Sequence, residues 1–293
     1  MYATEEPLAV RVRTHRLYTQ PKIDFPAWVL DHVPWRGDET VLDIGCGSGA
    51  YVEPACQRLT RGGRLLAGDL SWGMLRDLAS KPTPPPLSLF NGDAMRLPLP
   101  DGGCDVVLAN HMLYHVPHIE AAVAEVHRVL QPGGYLVAAT NARDSMQRFI
   151  TEVEEACRAL GHPMKIPPSP ARVRFTLENG WPFLRTLFPN VEQDVLASAL
   201  VFPEAAPAVA YVDSLRHAYE PRLPDELEWQ ALIGQVERQI RTQTGSPRDE
   251  GREREEEREE EREEEREGEY RVAKTSGVFI ARKTLTPASA PEA

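Results

Sequence analysis

Short apolar runs alternate with helical patterns from about residue 22 to residue 140, and this alternation restricts the fold more than any other feature of the chain. Each run is short, aliphatic or β-branched, and bounded by Gly, Pro, Asp or Asn, which is typical of buried strands. The runs are Val41–Ile44, Arg64–Ala67, Leu87–Phe90, Val106–Ala109 and Tyr135–Ala139. Helical patterns lie between them, at roughly 49–60, 72–80 and 118–130. Strands that alternate with helices form βαβ units, so the sequence predicts an α/β fold with a parallel sheet.

A glycine-rich turn follows the first strand, in the sequence VLDIGCGSGA. Gly45, Gly47 and Gly49 let the backbone approach a ligand where a Cβ atom would intrude. The same letters fit the G-x-G-x-x-G/A dinucleotide fingerprint, so the turn alone does not identify the ligand. Asp43 helps to decide, because a carboxylate beside the turn repels a pyrophosphate and attracts an ammonium group. The structural alternative is a tight turn that needs glycine and binds nothing.

Polar residues also follow the next three strands. Asp69 ends the second strand, where a carboxylate accepts hydrogen bonds from a ribose diol. Asp93 lies in the loop after the third strand, where an acid can accept a hydrogen bond from an adenine amino group. Asn110 opens a polar and aromatic segment after the fourth strand, at the edge where such folds bind ligands. Helix capping and turn formation are the structural alternatives for Asp69 and Asp93.

Three histidines cluster after the fourth strand, at positions 111, 115 and 118. No acid nearby completes a set of metal ligands, so no metal site is predicted. His111 and His115 are candidates for a catalytic base or a substrate contact, and packing or capping is the alternative for each.

The formal net charge of −11 is concentrated in one tract. Asp249–Glu269 holds 14 acids and 5 arginines, so the rest of the chain is close to neutral. The chain thus shows no overall basic excess of the kind that nucleic-acid binders use, which argues against a nucleic-acid partner. Within the tract, arginine recurs every four residues without an apolar face, which favours a solvated helical or disordered insertion.

Cysteine usage and hydropathy indicate the compartment. The four cysteines form no CxxC pair, which fits free thiols in a reducing environment. No stretch resembles a signal peptide, and no apolar run approaches the roughly 18–20 residues that span a bilayer. We therefore expect a cytoplasmic protein without a membrane span.

Five sequence segments, taken together, indicate a family. They are VLDIGCGSG, GDLSWGML, NGDAMRLPLPDGGCDVV, ANHMLYHVP and HRVLQPGG. Their order and spacing resemble class I S-adenosylmethionine (SAM)-dependent methyltransferases, most of all the ubiquinone/menaquinone-type group, over about residues 38–140. The resemblance implies a Rossmann-like, mostly parallel sheet of seven strands. Its last strand, near Gly277–Lys283, would be antiparallel, and helical insertions would form a lid.

The resemblance also implies a set of SAM contacts, which we carry over position by position. Asp43 and the turn of Gly45, Gly47 and Gly49 would hold the methionine end of SAM, and Asn110 would lie beside it. Asp69 would bind the ribose. Leu70, Asp93 and Ala94 would contact the adenine.

The expected organisation follows the same comparison. It consists of an N-terminal helical segment (1–37), the SAM-binding core (38–140), lid helices with the remaining core helix and strand (141–250), the Glu/Arg insertion (251–269), the last core strand (270–286) and a frayed tail (287–293). Residues 142–175 and 203–249 are the candidate substrate cover.

The expected reaction is in-line transfer of the SAM methyl group to an O, N or C atom of a small or medium organic molecule. Three alternatives stay open on the sequence alone. The chain could be an RNA or protein methyltransferase, an NAD-linked oxidoreductase, or a SAM-fold protein that binds without catalysing. Asp43 and the Asp93 loop argue against the oxidoreductase.

Overall fold

A computed structural model describes residues 5–82, 87–244 and 268–285 of the chain. Within these residues the chain forms two compact units. The core unit comprises Ile23–Arg143, Ser169–Leu196 and the described residues from Ser276 onward. The helical unit comprises the described residues within Met1–Lys22, Asp144–Pro168 and Ala197–Thr275. Nearly all of the Glu/Arg insertion and the whole tail from 287 lie outside the described residues.

The described residues contain eight strands and eleven α-helices. The strands are β1 Thr19–Gln20, β2 Thr40–Ile44, β3 Arg64–Asp69, β4 Leu87–Asn91, β5 Cys104–Leu108, β6 Leu130–Asn141, β7 Asn190–Phe202 and β8 Tyr270–Arg282. The α-helices are α1 Glu5–Tyr18, α2 Phe25–Leu30, α3 Val52–Cys56, α4 Trp72–Ala79, α5 Ile119–Val129, α6 Gln147–Ala159, α7 Pro170–Val173, α8 Gly180–Arg185, α9 Ala205–Asp213, α10 Arg216–Tyr219 and α11 Trp229–Gln243. Short 3-10 turns cover Leu113–His115 and Glu220–Arg222.

The sheet of the core unit has the strand order β7-β8-β6-β5-β2-β3-β4. β2 lies parallel to both of its neighbours, with Asp43 opposite Ala67 of β3 and Leu108 of β5. β8 runs antiparallel to β6, with Ile280 opposite Val137. The carboxyl ends of β2, β3, β4 and β5 therefore meet at one edge of the sheet, where open α/β sheets bind their ligands.

Apolar cores cover both faces of this sheet because successive strand residues point to opposite sides. On β2, Val41 belongs to one core and Leu42 to the other. The core with Val41 takes up apolar residues of α2, α3 and α4. The core with Leu42 takes up the apolar stripe of α5, whose buried residues Ile119, Val123 and Val126 recur at helical spacing.

The helical unit has a separate core, formed by α6, α9 and α11 and by the outer parts of β7 and β8. Its aromatic centre includes Phe149, which stacks on Tyr211 at 4.9 Å between ring centroids. β1 pairs antiparallel with β7 in this unit, Thr19 lying opposite Leu200. No helix among the described residues is long and apolar enough to cross a membrane.

The predicted fold class is confirmed, and the sheet contains the seven expected strands. The structure adds an eighth strand, the two-residue β1. Several element boundaries were predicted wrongly. The helix expected at 49–60 is only the five-residue α3. The expected segments 1–37 and 141–250 each contribute residues to both units.

Candidate functional site

The turn between β2 and α3 depends on glycine at three positions. Gly45, Gly47 and Gly49 have φ angles of 71°, 54° and 90°, which side chains larger than glycine rarely tolerate. The Gly45 amide donates to the Gly68 carbonyl at 2.7 Å, so the turn is anchored to the end of β3. The predicted strand–turn–helix geometry is therefore present.

The space around the three glycines differs. A Cβ atom on Gly45 would lie 2.6 Å from Met112 Cβ, and one on Gly49 would lie 2.5 Å from Leu78 Cδ1. A Cβ atom on Gly47 would meet nothing within 4 Å. Gly45 and Gly49 are thus needed for packing, whereas Gly47 leaves room into which a ligand could extend.

Asp43 has an unsatisfied carboxylate at the end of β2. The residue is only 2% exposed, and its buried Oδ2 atom accepts no hydrogen bond. Burial, with a further contribution from the nearby Asp69 carboxylate, raises the pKa of Asp43 to about 7. A buried acceptor without a donor is costly, so this position favours a ligand that brings a donor or a positive charge.

Asn110 presents the complementary group after β5. Its Oδ1 atom accepts a hydrogen bond from the Ala139 amide at 2.9 Å, which fixes the side chain. Its Nδ2 atom is buried and donates to no protein group. The side chain therefore holds a fixed donor that still lacks an acceptor.

Asp69 connects the glycine turn to the start of α4. Its Oδ2 atom accepts from the Gly47 amide at 2.9 Å and its Oδ1 atom from the Ser71 amide at 2.8 Å. Each carboxylate oxygen keeps a second lone pair, so ribose hydroxyls can still donate to it. The neighbouring Leu70 side chain is 71% exposed, and its contact with adenine stays a prediction.

The end of β4 carries the remaining predicted contacts. Asp93 is partly buried and accepts from the Met95 amide at 2.9 Å, while Ala94 is buried in the core. Asn91 donates through Nδ2 to the backbone carbonyls of Asp69 and Leu70, which ties this loop to the end of β3. The Asp93 loop and the Asp69 turn are therefore held side by side.

His111 and His115 lie beyond the tip of β5. His111 has a φ of 54°, an uncommon conformation for a non-glycine residue, and its amide donates to the Ala139 carbonyl at 2.8 Å. Its ring lies 5.5 Å from that of Phe25. His115 is exposed and its ring meets that of Tyr114 edge-on at 4.6 Å. Their catalytic roles stay predictions.

Two further residues bear on the site. Tyr51, which follows the glycine turn, is 7% exposed and its buried hydroxyl has no hydrogen-bond partner. The sequence offered no signal for it beyond its position after the turn. Burial raises the pKa of the Cys46 thiol, which disfavours the thiolate and thus a nucleophilic role. Among the described residues, no group of three His, Cys, Asp or Glu side chains could hold a metal ion.

A family model described as a methyltransferase domain matches residues 42–138. This stretch runs from β2 into β6 and contains every predicted SAM contact. The chain therefore contains a methyltransferase domain of the class I fold, a class for which SAM is the methyl donor.

Curated relatives align over a similar part of the chain. Demethylmenaquinone methyltransferase of Lysinibacillus sphaericus is 29% identical over 129 residues, covering 40% of this chain and 55% of that protein. Malonyl-[acyl-carrier protein] O-methyltransferase of Serratia marcescens is 31% identical over 142 residues, covering 42% of this chain and 54% of that protein. The chain thus matches only about half of the length of these relatives.

Solved structures extend the likeness to more of the chain. A candidate methyltransferase of Bacillus halodurans superposes with a TM-score of 0.52 at 17% identity, covering 88% of this chain and 98% of that one. At this level of identity the likeness establishes the fold alone.

Proposed function

We propose that the protein transfers the methyl group of SAM, by in-line displacement, to an O, N or C atom of a small or medium organic molecule. The observation that carries the proposal is the buried Oδ2 atom of Asp43, which has no hydrogen-bond partner, on the strand that leads into the glycine turn with its open space at Gly47. A dinucleotide would bring a pyrophosphate to this turn, against the Asp43 charge. The ammonium group of a methionine moiety would instead give Asp43 the donor that it lacks.

The other carboxylates suit the rest of the same compound. Asp69 is positioned for the ribose, Leu70 for one face of the adenine, and Asp93 with Ala94 for the adenine edge. Together these residues would fix the sulfonium group at the edge of the sheet. Orientation of two reactants in this way can supply as much as ~7–11 kcal/mol of the barrier, so alignment and exclusion of water would be the main work of the protein.

The proposed acceptor class rests on charge and on the relatives. Outside the acidic tract the chain is nearly neutral, which does not suit an RNA substrate. By their names, the two curated relatives act on demethylmenaquinone and on a malonyl group carried by acyl-carrier protein. An acceptor of organic, non-nucleic character is consistent with both.

A phenol or carbon acid would need a base, whereas a neutral amine would not. We propose His111 or His115 for this role because both lie in the segment that follows Asn110 beyond the tip of β5. If one of them is the base, His111→Gln or His115→Gln lowers kcat roughly 100-fold and leaves SAM affinity unchanged. Unchanged turnover in both variants would remove the histidines from the mechanism.

Two measurements test the proposed function. Calorimetry should show binding of SAM and S-adenosylhomocysteine and much weaker binding of NAD. Radiolabelled SAM is then incubated with small-molecule extracts and, separately, with RNA. Label in the small-molecule fraction is the expected result. Tighter binding of NAD than of SAM, or label in RNA alone, would contradict the proposal.

A further inference from the structure

Three polar side chains lie on the same side of the sheet, near its carboxyl edge. Side chains alternate along a strand, so Asp43 points to the same side as Val41, which belongs to the core beneath α2, α3 and α4. On β5, Val106 and Leu108 belong to that core. Asn110 lies two residues beyond Leu108, so the same alternation places its side chain on this side of the sheet. Tyr51 is a member of the core itself.

Each of these side chains has a buried polar atom that the protein leaves unsatisfied. The atoms are Asp43 Oδ2, Asn110 Nδ2 and the Tyr51 hydroxyl, and the residues are 2%, 7% and 7% exposed. An unsatisfied buried polar group is destabilising and uncommon in native proteins. Three of them at one edge of one core therefore indicate a ligand rather than three separate packing defects.

Tyr51 lies within electrostatic range of Asp43. Burial is the main cause that raises the pKa of the Tyr51 hydroxyl, and Asp43, Tyr114 and Asp24 add to it. No hydrogen bond joins the two groups. A ligand group between them could therefore interact with both side chains.

The three atoms match one kind of chemical group. When Asp43 is ionised its Oδ2 atom only accepts hydrogen bonds, Asn110 Nδ2 only donates, and a phenol can do either. An α-amino acid end presents an ammonium donor and a carboxylate acceptor on the same carbon atom. No other part of an S-adenosyl compound carries both a positive and a negative charge.

We propose that the Tyr51 hydroxyl is a direct contact of the amino-acid end of the bound S-adenosyl compound, beside Asp43 and Asn110. This assignment rests on the proposed function for the identity of the ligand. Tyr51 would then contribute to affinity and to the placement of the sulfonium group, and it would recognise only ligands that retain the amino-acid end.

The test compares Tyr51→Phe with the wild-type protein by calorimetry, using S-adenosylhomocysteine and 5′-methylthioadenosine, which lacks the amino-acid end. We expect roughly tenfold weaker binding of S-adenosylhomocysteine, the effect of one hydrogen bond to a charged group, and unchanged binding of methylthioadenosine. The melting temperature of the ligand-free variant should stay the same or rise, because the hydroxyl has no partner to lose.

Tyr270→Phe is the matched control. Tyr270 is also a buried tyrosine, but its hydroxyl donates to Glu152 Oε1 at 3.3 Å in the helical unit. This variant should melt at a lower temperature and bind S-adenosylhomocysteine like the wild-type protein.

Three results would overturn the assignment. Tyr51→Phe could bind S-adenosylhomocysteine as tightly as the wild-type protein, or it could lose affinity equally for both compounds, which would mean a general change of the site. In either case wild-type binding remains and the proposed function stands. If the wild-type protein binds neither S-adenosylhomocysteine nor SAM, the proposed function fails and the role of Tyr51 fails with it.

Discussion

The carboxylate of Asp69 is expected to accept hydrogen bonds from both the ligand and the protein backbone. In the proposed complex it binds the ribose hydroxyls, and a hydrogen bond to a charged acceptor is worth ~1.5–3 kcal/mol. Asp69→Ala should therefore weaken SAM binding about 10- to 100-fold by calorimetry. The amides of Gly47 and Ser71 also lose their acceptor, so thermal unfolding should show a lower melting temperature as well.

The exposed Asp77 on α4 provides the control for this variant. It forms an ion pair with Lys81 at 2.7 Å, with both side chains about 40% exposed or more. Surface pairs of this kind contribute ~0–1 kcal/mol, so Asp77→Ala should change neither property much. SAM binding that is unaffected by Asp69→Ala would exclude Asp69 from the site.

The raised pKa of Asp43, about 7, predicts how SAM affinity depends on pH. Only the ionised carboxylate attracts the ligand's ammonium group. Below pH 7 the group is increasingly protonated in the ligand-free protein, so affinity should fall as pH falls, by up to about tenfold per unit. Calorimetry between pH 5.5 and pH 7.5 measures this pH dependence. The Asp43→Asn variant should bind SAM more weakly, and its affinity should not change with pH over this range.

Stability should show the opposite trend with pH. The pKa of Asp43 is higher in the folded protein than in the unfolded chain, so the folded state holds the extra proton between about pH 4 and pH 7. The contribution of Asp43 to stability is therefore lost as pH rises through this window. From about pH 4 to about pH 7, the melting temperature of Asp43→Asn should therefore rise relative to that of the wild-type protein. A difference between the two melting temperatures that does not change with pH would contradict the raised pKa.

At the level of single residues, the sequence indicates those candidate site residues whose chemistry depends on the residue type alone. Glycine after an apolar strand and acids at strand ends are such signals, and the structure places Asp43, Asp69, Asp93 and Asn110 along one edge. Tyr51 gives no such signal. Its importance lies in a hydroxyl without a partner, and whether a hydroxyl has a partner depends on atoms that only the folded chain brings near it.

At the level of elements, alanine substitutions in the glycine turn should distinguish an effect on SAM binding from an effect on stability. Gly47 and Gly62 have φ angles of 54° and 86°, and a Cβ atom on either would meet nothing within 4 Å. Alanine should therefore destabilise the protein by a similar amount at both positions, about 1 kcal/mol. Gly62 precedes β3, at the opposite edge of the sheet from the site. Only Gly47→Ala should weaken SAM binding, which calorimetry measures.

A different outcome is expected at Gly49. An added Cβ atom would lie 2.5 Å from Leu78 Cδ1, so Gly49→Ala should lower the melting temperature more than either of the other two variants. Equal SAM affinities for Gly47→Ala and Gly62→Ala would show that the ligand does not approach the turn at Gly47.

Strand positions were easier to predict than strand lengths, and β8 shows why. The last strand was expected near Gly277–Lys283, within the segment 270–286, whereas β8 begins at Tyr270. Its second half is buried on both faces and forms an apolar run. In its first half buried and exposed residues alternate, and Lys274, Thr275 and Ser276 interrupt the apolar pattern. A search for apolar runs detects only the part that is buried on both sides.

At the level of the whole molecule, the division into two units could not be predicted from local pattern. Each unit combines stretches of sequence that lie more than a hundred residues apart. The aromatic residues in and near the candidate substrate cover illustrate the difficulty. Phe149, Phe202, Tyr211 and Tyr219 are buried in the core of the helical unit and Phe175 in a core of the core unit, whereas Trp181 and Phe183 are partly exposed. Composition alone does not separate a cover from a core.

The acidic tract should be dispensable for catalysis. It has no apolar face, and a long solvated insertion adds little to the free energy of loop closure. Replacing Arg252–Glu267 with a short Gly/Ser linker should leave SAM affinity and turnover unchanged, as measured by calorimetry and by transfer of labelled methyl. A folded, SAM-binding variant without turnover would show that the tract has a role in catalysis.

Acceptor recognition should depend on the helical unit, and SAM binding on the core unit. All the proposed SAM contacts belong to the core unit, whereas most described residues of 142–175 and 203–249 belong to the helical unit. Phe149→Ala removes a buried ring that stacks on Tyr211, and such a change costs ~3–5 kcal/mol. Phe188→Ala makes the same change in the core unit, where Phe188 is fully buried.

The two variants should therefore affect different properties, one lowering turnover and the other SAM affinity. Turnover is measured with the acceptor that the labelling experiment identifies. Phe149→Ala should keep the SAM affinity of the wild-type protein and lose roughly 100-fold in turnover, because small displacements of a bound reactant have effects of this size. Phe188→Ala should weaken SAM binding, because it loosens the core on which the sheet edge rests. If Phe149→Ala abolishes SAM binding while turnover per bound SAM is unchanged, acceptor recognition does not reside in the helical unit.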